Sequence, residues 1–254
     1  MDILRSKVEL QHWRAGLPQS KTVGLVPTMG ALHDGHLSLV DIAKTKSDTI
    51  IASLFVNPAQ FAAGEDLDTY PRTEEADLRM LERMGTDAVY IPPVDDIYPD
   101  IDRSHDMALG APAKGLESDY RPHFFDGVMN VVARLFDHVK PNSAVFGEKD
   151  YQQLMVIHDM TQRYAMPIEV IGAPTIRDEY GLALSSRNAY LSDEELVIAR
   201  QLNVILRGDN PTPADLIRAG FDKVDYIETR WNRILAAAWV GKTRLIDNVP
   251  HLQS

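Results

Sequence analysis

The chain predicts an α/β fold, a parallel sheet with helices on both faces, followed by a smaller C-terminal helix-and-strand unit. Three observations carry that prediction. Five short apolar runs rich in β-branched residues alternate with helix-like stretches, and repeated strand–helix–strand order implies a parallel sheet covered on both faces. Near Arg187 the pattern changes, first to a capped helix and then to a Gly/Pro-rich break. The 254 residues, 44% of them hydrophobic and none of them cysteine, are enough to bury a core without disulfide staples.

Taken in order, the strands are expected at Thr22–Val26, Thr49–Val56, Asp87–Ile91, Ser143–Gly147 and Ile168–Gly172, each short, apolar and bounded by turn residues. Helices are expected between them. Thr73–Gly85 offers a capping threonine, two acids in its first turn and a glycine stop. Gly127–Val139 and Asp150–Tyr164 follow with helical spacing of apolar residues. Ser192 and Glu195 form a capping box that opens a helix through about Leu206. Arg207–Leu216 then breaks the chain with Gly, Asn and two prolines. The remainder is read as a small helix-and-strand unit ending near Asn248.

Composition excludes several functions. A net charge of −11 disfavours non-specific binding to nucleic acid or to an anionic membrane, which needs a positive field. The first twenty residues hold no apolar core of signal-peptide length, and the longest apolar run, Ile234–Val240, is too short to span a bilayer. Without cysteine there are no thiolate nucleophiles or cysteine zinc sites. The reading is a cytoplasmic protein.

In an open parallel sheet, ligands bind beyond the carboxyl ends of the strands. The unusual residues fall there. After the first expected strand comes PTMGALHDGH (Pro27–His36), after the second NPAQF (Asn57–Phe61), after the fourth GEKD (Gly147–Asp150), and after the fifth APTIRD and then LALSSRN (Leu182–Asn188). These loops carry His33, His36, Asn57, Gln60, Lys149, Asp150, Arg187 and two serines, which the expected topology gathers into one concave site. The group suits a nucleoside triphosphate. Gly30 permits close backbone approach, and the helix after Gly35 offers unpaired N–H groups to phosphate. Lys149 and Arg187 bring positive charge, and Asp150 is placed to hold Mg²⁺ on the phosphates. The histidines are donors toward charge developing on phosphate oxygens. No G-x-x-x-x-G-K-[ST] segment occurs, so this is not a P-loop protein.

Each fragment also has a plainer reading. Asp150 and Gln153 have the spacing of a helix cap, Ser185 and Ser186 of turn residues, and Asn57-Pro58 of an ordinary turn starter. A histidine pair three residues apart is often structural, and no third metal ligand lies beside it. The convergence of four loops is what favours a functional site.

PTMGALHDGH, FVNPAQF, YPRT (Tyr70–Thr73), FGEKDYQQL (Phe146–Leu154), LALSSRNAYL (Leu182–Leu191) and TRLIDN (Thr243–Asn248), in that order along nearly the whole chain, together resemble the pantoate–β-alanine ligase family. The resemblance implies a Rossmann-like, ATP- and pantoate-binding domain over 1–180 and a small C-terminal α+β lid domain over 181–254. It implies a homodimer, ATP with Mg²⁺, and the substrates pantoate and β-alanine, joined through a pantoyl adenylate with release of pyrophosphate and then AMP. By motif, Met29, Gly30, Ala31, Leu32, His33, Asp34, Gly35 and His36 line the ATP site, with His36 as proton donor and His33 on phosphate. Gly147, Glu148, Lys149 and Asp150, then Leu184, Ser185, Ser186 and Arg187, form the other ATP-binding segments, and Ile176 contacts adenine through its backbone. Gln60 matches the family glutamine shared by pantoate and the β-alanine position, and Gln153 matches a second pantoate contact. Two departures from the family pattern stand out. Phe124 replaces a histidine in RPHFFDGV (Arg121–Val128), and Val224–Asn248 lacks the usual segment between its first strand and a final helix. Two other readings remain at this point, a nucleotidyltransferase that retains the nucleotide in its product and a non-enzymatic ATP-binding module.

Overall fold

A computed structural model describes residues 1–62, 64–99 and 107–251. The chain divides into two compact units, one of Met1–Gly147 with Gln152–Ala173 and the other of Glu148–Tyr151 with Pro174–Ser254.

The first unit is built on a six-stranded sheet of β1 (Asp2–Leu4), β2 (Val23–Thr28), β3 (Thr49–Leu54), β4 (Ala88–Tyr90), β5 (Ser143–Gly147) and β6 (Glu169–Ala173). Every pairing is parallel, in the order β1–β4–β3–β2–β5–β6. The chain runs outward from β2 to one side and then returns to place β5 on the other. That makes β2 and β5 the switch point, where loops leave the sheet in diverging directions and open a crevice. The helices are α1 (Lys7–Gly16), α2 (Asp34–Lys44), α3 (Glu74–Arg83), α4 (Val94–Ile97), α5 (Glu117–Tyr120), α6 (Phe124–Val139) and α7 (Tyr151–Arg163). Val26, Val40, Ile50, Ala52, Leu81, Val89 and Val145 pack in one buried cluster from α2, α3 and four central strands. Strands buried on both faces read as unbroken apolar runs, which is why five of the six were legible.

The sixth was not. Asp2–Leu4 pairs with Ala88–Tyr90 at the sheet edge, but it has only three residues and leaves Ile3 exposed, too little for a periodicity to show. Helix α6 begins three residues before Gly127, with the Arg121 guanidinium 4.0 Å from the Phe124 ring centroid and the Phe125 ring fully buried. Thr73 is not a side-chain cap of α3. Its hydroxyl instead donates to the Asp77 carboxylate at 3.1 Å.

In the second unit, the capping box at Ser192 and Glu195 forms as expected, with the serine Oγ accepting from the Glu195 N–H and the carboxylate from the Ser192 N–H. The single helix expected through Leu206 is two, α8 (Asp193–Ala199) and α9 (Gln201–Leu206), followed by α10 (Pro213–Arg218). Residues 224–248 contain no final helix. They lie in an antiparallel sheet of β7 (Lys223–Arg230), β8 (Arg233–Val240) and β9 (Thr243–Pro250). The alanines of β8 favour helix in isolation, but Trp231 and Asn232 at φ 51° and 55° make a two-residue hairpin turn that commits the chain to strand pairing. Leu182, Leu202, Leu206, Leu216, Phe221 and Ala238 form the core of this unit.

Candidate functional site

The loop after β2 is held from below. Gly30 and Ala31 both take positive φ, 80° and 51°, a strained arrangement for alanine. The carboxylate of Asp77, on α3 and 1% exposed, stabilises it by accepting from the Ala31 and Leu32 N–H groups, both at 2.9 Å. A side chain at position 30 would meet that carboxylate at 3.1 Å. The close approach that glycine allows here is therefore to Asp77 of the same protein. No motif marked Asp77 beforehand. The available signal was an acid in the first turn of a helix, and its burial depends on a fold contact between residues 46 positions apart.

Above this loop, the two histidines build the start of α2. His33 is the N-cap residue, its Nδ1 accepting from the Gly35 N–H at 3.1 Å, and the His36 Nδ1 accepts from the His33 N–H at 3.4 Å. Their ring centroids are 4.1 Å apart. A neutral imidazole that accepts at Nδ1 carries its proton on Nε2. In that tautomer each ring carries its donor at Nε2, at the positive end of a helix dipole. This revises one expectation, because the amides of Gly35, His36 and Leu37 are already bonded to His33.

The loop after β3 meets the loop after β2. Gln60 Nε2 lies 3.0 Å from Met29 Sδ, so two of the predicted residues from different loops are in contact. Gln60 is oriented by Asn57, which is 1% exposed. The Asn57 Nδ2 donates to Gln60 Oε1 and to the Gly127 carbonyl, both at 3.1 Å, while its Oδ1 accepts from the Tyr98 hydroxyl at 2.7 Å and the Ala59 N–H at 3.2 Å. A saturated buried amide of this kind fixes its surroundings, since any rearrangement strands a polar group. Gly127 is required by the same packing, because a Cβ there would lie 2.3 Å from the Ala59 carbonyl oxygen.

On α7, the two glutamines of the YQQL motif separate into distinct roles. Gln152 is buried, its Oε1 accepting from the Glu117 N–H and its Nε2 donating to the Pro112 and Gly115 carbonyls, all at 3.0 Å. Gln153 is half-buried and makes no such bonds among the described residues.

Gly147 ends β5 in the first unit, and the other predicted residues lie within the second. Glu148–Asp150 forms a short 3₁₀ turn, with Lys149 Nζ 3.9 Å from Asp150 Oδ1. The segments carrying Ile176 and Leu184 are paired, the Leu184 N–H donating to the Ile176 carbonyl at 2.9 Å beside a bridge between Arg177 and Ala183. Ser185 caps the following turn by accepting from the Arg187 N–H at 3.3 Å. Among the described residues no group of three or more His, Asp or Glu side chains is arranged to hold a metal ion. Asp150 alone would leave most of a Mg²⁺ coordination sphere to phosphate and water, which is how Mg²⁺ usually binds with nucleotides.

A family model described as pantoate-beta-alanine ligase matches residues 2–250. The chain is 49% identical to the pantothenate synthetase of Mesorhizobium japonicum, over 96% of this chain and 94% of that one. It is 46% identical to the pantothenate synthetase of Hyphomonas neptunium, over 98% and 96%. Among solved structures, it resembles the pantoate-beta-alanine ligase of Francisella tularensis complexed with beta-gamma ATP and beta-alanine, with a TM-score of 0.93, 38% identity, and 99% and 98% of the two chains covered. The pantothenate synthetase of Thermus thermophilus matches with a TM-score of 0.88 at 39% identity over the whole of both chains.

Proposed function

Because the chain belongs to the pantoate–β-alanine ligase family, we propose how its own residues carry out the family's reaction. The enzyme condenses pantoate with β-alanine using ATP. In the route proposed here, the pantoate carboxylate attacks the α-phosphorus of ATP, forming pantoyl adenylate as pyrophosphate leaves. The β-alanine amine then attacks the acyl carbon, the C–O bond to the phosphate breaks, and AMP leaves while the amine loses its proton.

The observation that carries the role assignments is the pair of imidazoles locked through Nδ1 at the start of α2. Donors fixed before the substrate arrives need no reorganisation as charge moves onto the leaving pyrophosphate. His33 is assigned to phosphate binding and His36 to donation toward the phosphate oxygens. Lys149 and Arg187 offset the repulsion between a carboxylate nucleophile and the triphosphate. Gln60 and Gln153, both neutral, orient the hydroxylated acid. Mg²⁺ would be held by the triphosphate with Asp150 and would supply further neutralisation of phosphate charge. Met29–His36, Gly147–Asp150, Ile176 and Leu184–Arg187 are proposed to bind ATP. The homodimer, the cytoplasmic location and a lid role for residues 181–254 belong to the same proposal and rest on the family resemblance.

The test is pyrophosphate release from ATP and Mg²⁺ with D-pantoate and no β-alanine. A burst near one equivalent of enzyme, becoming steady turnover only on adding β-alanine, is expected. Release that requires both acids from the first turnover would rule out the adenylate route. Lys149→Ala should slow the burst about a hundredfold or more, the loss of roughly 3 kcal/mol typical for one transition-state donor. A rate within threefold of wild type would remove Lys149 from this role.

A further inference from the structure

The TRLIDN motif near the C-terminus is used by none of the roles above, yet its last residue reaches the segment that carries Lys149. Asn248 lies on β9 and is 1% exposed. Its Nδ2 donates to the carbonyl oxygens of Glu148 at 2.8 Å and Lys149 at 2.9 Å, so both amide hydrogens are spent on two successive backbone acceptors. Its Oδ1 accepts from Arg233 Nε, and the same guanidinium pairs with the Glu148 carboxylate at 3.3 Å. Arg233 also lies over the Tyr151 ring, 4.5 Å from its centroid. These contacts account for a feature of the chain path: Glu148–Tyr151 groups with the second unit, although the residues before and after it belong to the first.

The neighbouring residue keeps the Asn248 backbone in place. Asp247 accepts from the Asn248 N–H at 2.7 Å, receives a bidentate pair from Arg177 at 2.7 and 2.8 Å, and accepts from Asn203 Nδ2 at 3.2 Å. The charge of Asp247 is therefore met by Arg177 and that of Glu148 by Arg233. The group that touches the Lys149 backbone is a neutral amide. A carboxylate at position 248 would turn acceptor against acceptor at both carbonyls, and would place a negative charge beside the lysine whose positive charge the reaction uses.

We infer that Asn248 is a positioning residue for adenylate formation, fixing the Glu148–Lys149 backbone so that the lysine ammonium is presented in one orientation to the triphosphate. The inference rests on the proposed role of Lys149 and deepens it. Preorganisation of this kind acts on the chemical step, since a charged group that must find its orientation during the reaction loses its advantage.

A double-mutant cycle between Asn248→Asp and Lys149→Ala tests it, with the full-length chain assayed for the pantoate-dependent pyrophosphate burst. Asn248→Asp alone should slow the burst about tenfold with the KM for pantoate unchanged. In the Lys149→Ala background it should slow the burst less than twofold further, because residues that act as one unit are not additive. Asn248→Ser, which keeps one donor, should fall between Asn248→Asp and wild type. Full additivity, or a wild-type burst in Asn248→Asp, overturns the inference while leaving Lys149 in its role. A near-wild-type rate for Lys149→Ala alone overturns the role of Lys149 and the inference with it. If neither Asn248 variant retains the wild-type circular dichroism spectrum, the residue is structural and the inference falls.

Discussion

Two backbone segments that carry the proposed chemistry are held by opposite means. In the first unit, the loop before α2 is gripped by a buried carboxylate, Asp77, which accepts from two amide groups. In the second unit, the turn before α7 is gripped by a buried amide, Asn248, which donates to two carbonyls. The choice follows from what each segment leaves unsatisfied. A left-handed pair at Gly30 and Ala31 turns successive N–H groups to the same side, a concavity suited to an anion. A 3₁₀ turn leaving a strand presents carbonyls, which need donors. The consequence for function differs as well. The ionic clamp supports the loop that leads into the two histidines, whereas the neutral clamp supports the turn that carries Lys149.

Breaking the ion pair behind the neutral clamp should have the largest effect. Arg177→Ala leaves the Asp247 carboxylate, 3% exposed at its side chain, without its bidentate partner. Removing one member of a buried pair typically costs about 3–5 kcal/mol. Urea unfolding should show a loss of that order, and a change below about 1 kcal/mol would mean that Asn203 and the backbone hold Asp247 unaided.

Next is the ionic clamp itself. Asp77→Asn keeps the shape, but its amide can accept through only one oxygen and turns a donor toward the other N–H. The expected cost is about 2–3 kcal/mol, with a pyrophosphate burst slowed at least tenfold, because the histidines follow this loop directly. Unchanged kinetics in a destabilised protein would show that the His33–His36 cap holds its geometry without support from below.

The smallest effect supplies the background against which both clamps are compared. Burial, with a further contribution from the Lys7 charge, pushes His138 down to about 4; Asp137 and Asp96 oppose this shift, and Arg134 adds to it. Its Nδ1 lies 3.1 Å from the Tyr90 hydroxyl. The folded state keeps this ring neutral while the unfolded state takes a proton near pH 6.5. Stability is therefore complete above about pH 6.5 and falls as pH drops toward 4, by at most about 2–3 kcal/mol. Thermal melts from pH 7 to 4.5 should show the decline, and His138→Gln should flatten it. An equally steep decline in His138→Gln would assign the acid sensitivity to other groups.

The gap between what was legible in the sequence and what was not follows the range of the interactions involved. Five strands announced themselves because a strand buried on both faces must be apolar along its length. The Ser192–Glu195 box was readable because both of its hydrogen bonds close within three residues. The histidine loop, Gln60 and the lysine turn were visible as residue types in family order. By contrast, the Ala-rich strand β8 was hidden by local propensity until the Trp231–Asn232 turn and its two partner strands set its state.

Taken alone, then, the sequence determined five of the six parallel strands, the order of the loops that follow them along the chain and the chemical class of the groups they carry. All of these follow from short-range pattern and from which side chains can bear charge. Only the tertiary structure decided that each histidine bonds the loop through Nδ1, which glutamine of the YQQL pair is structural, and which distant residues hold these backbone segments still. Asp77 bonds across 45 and 46 positions and Asn248 across 99 and 100. A hydrogen bond between such residues exists only after the chain has folded, because its worth depends on burial that no local window of sequence contains.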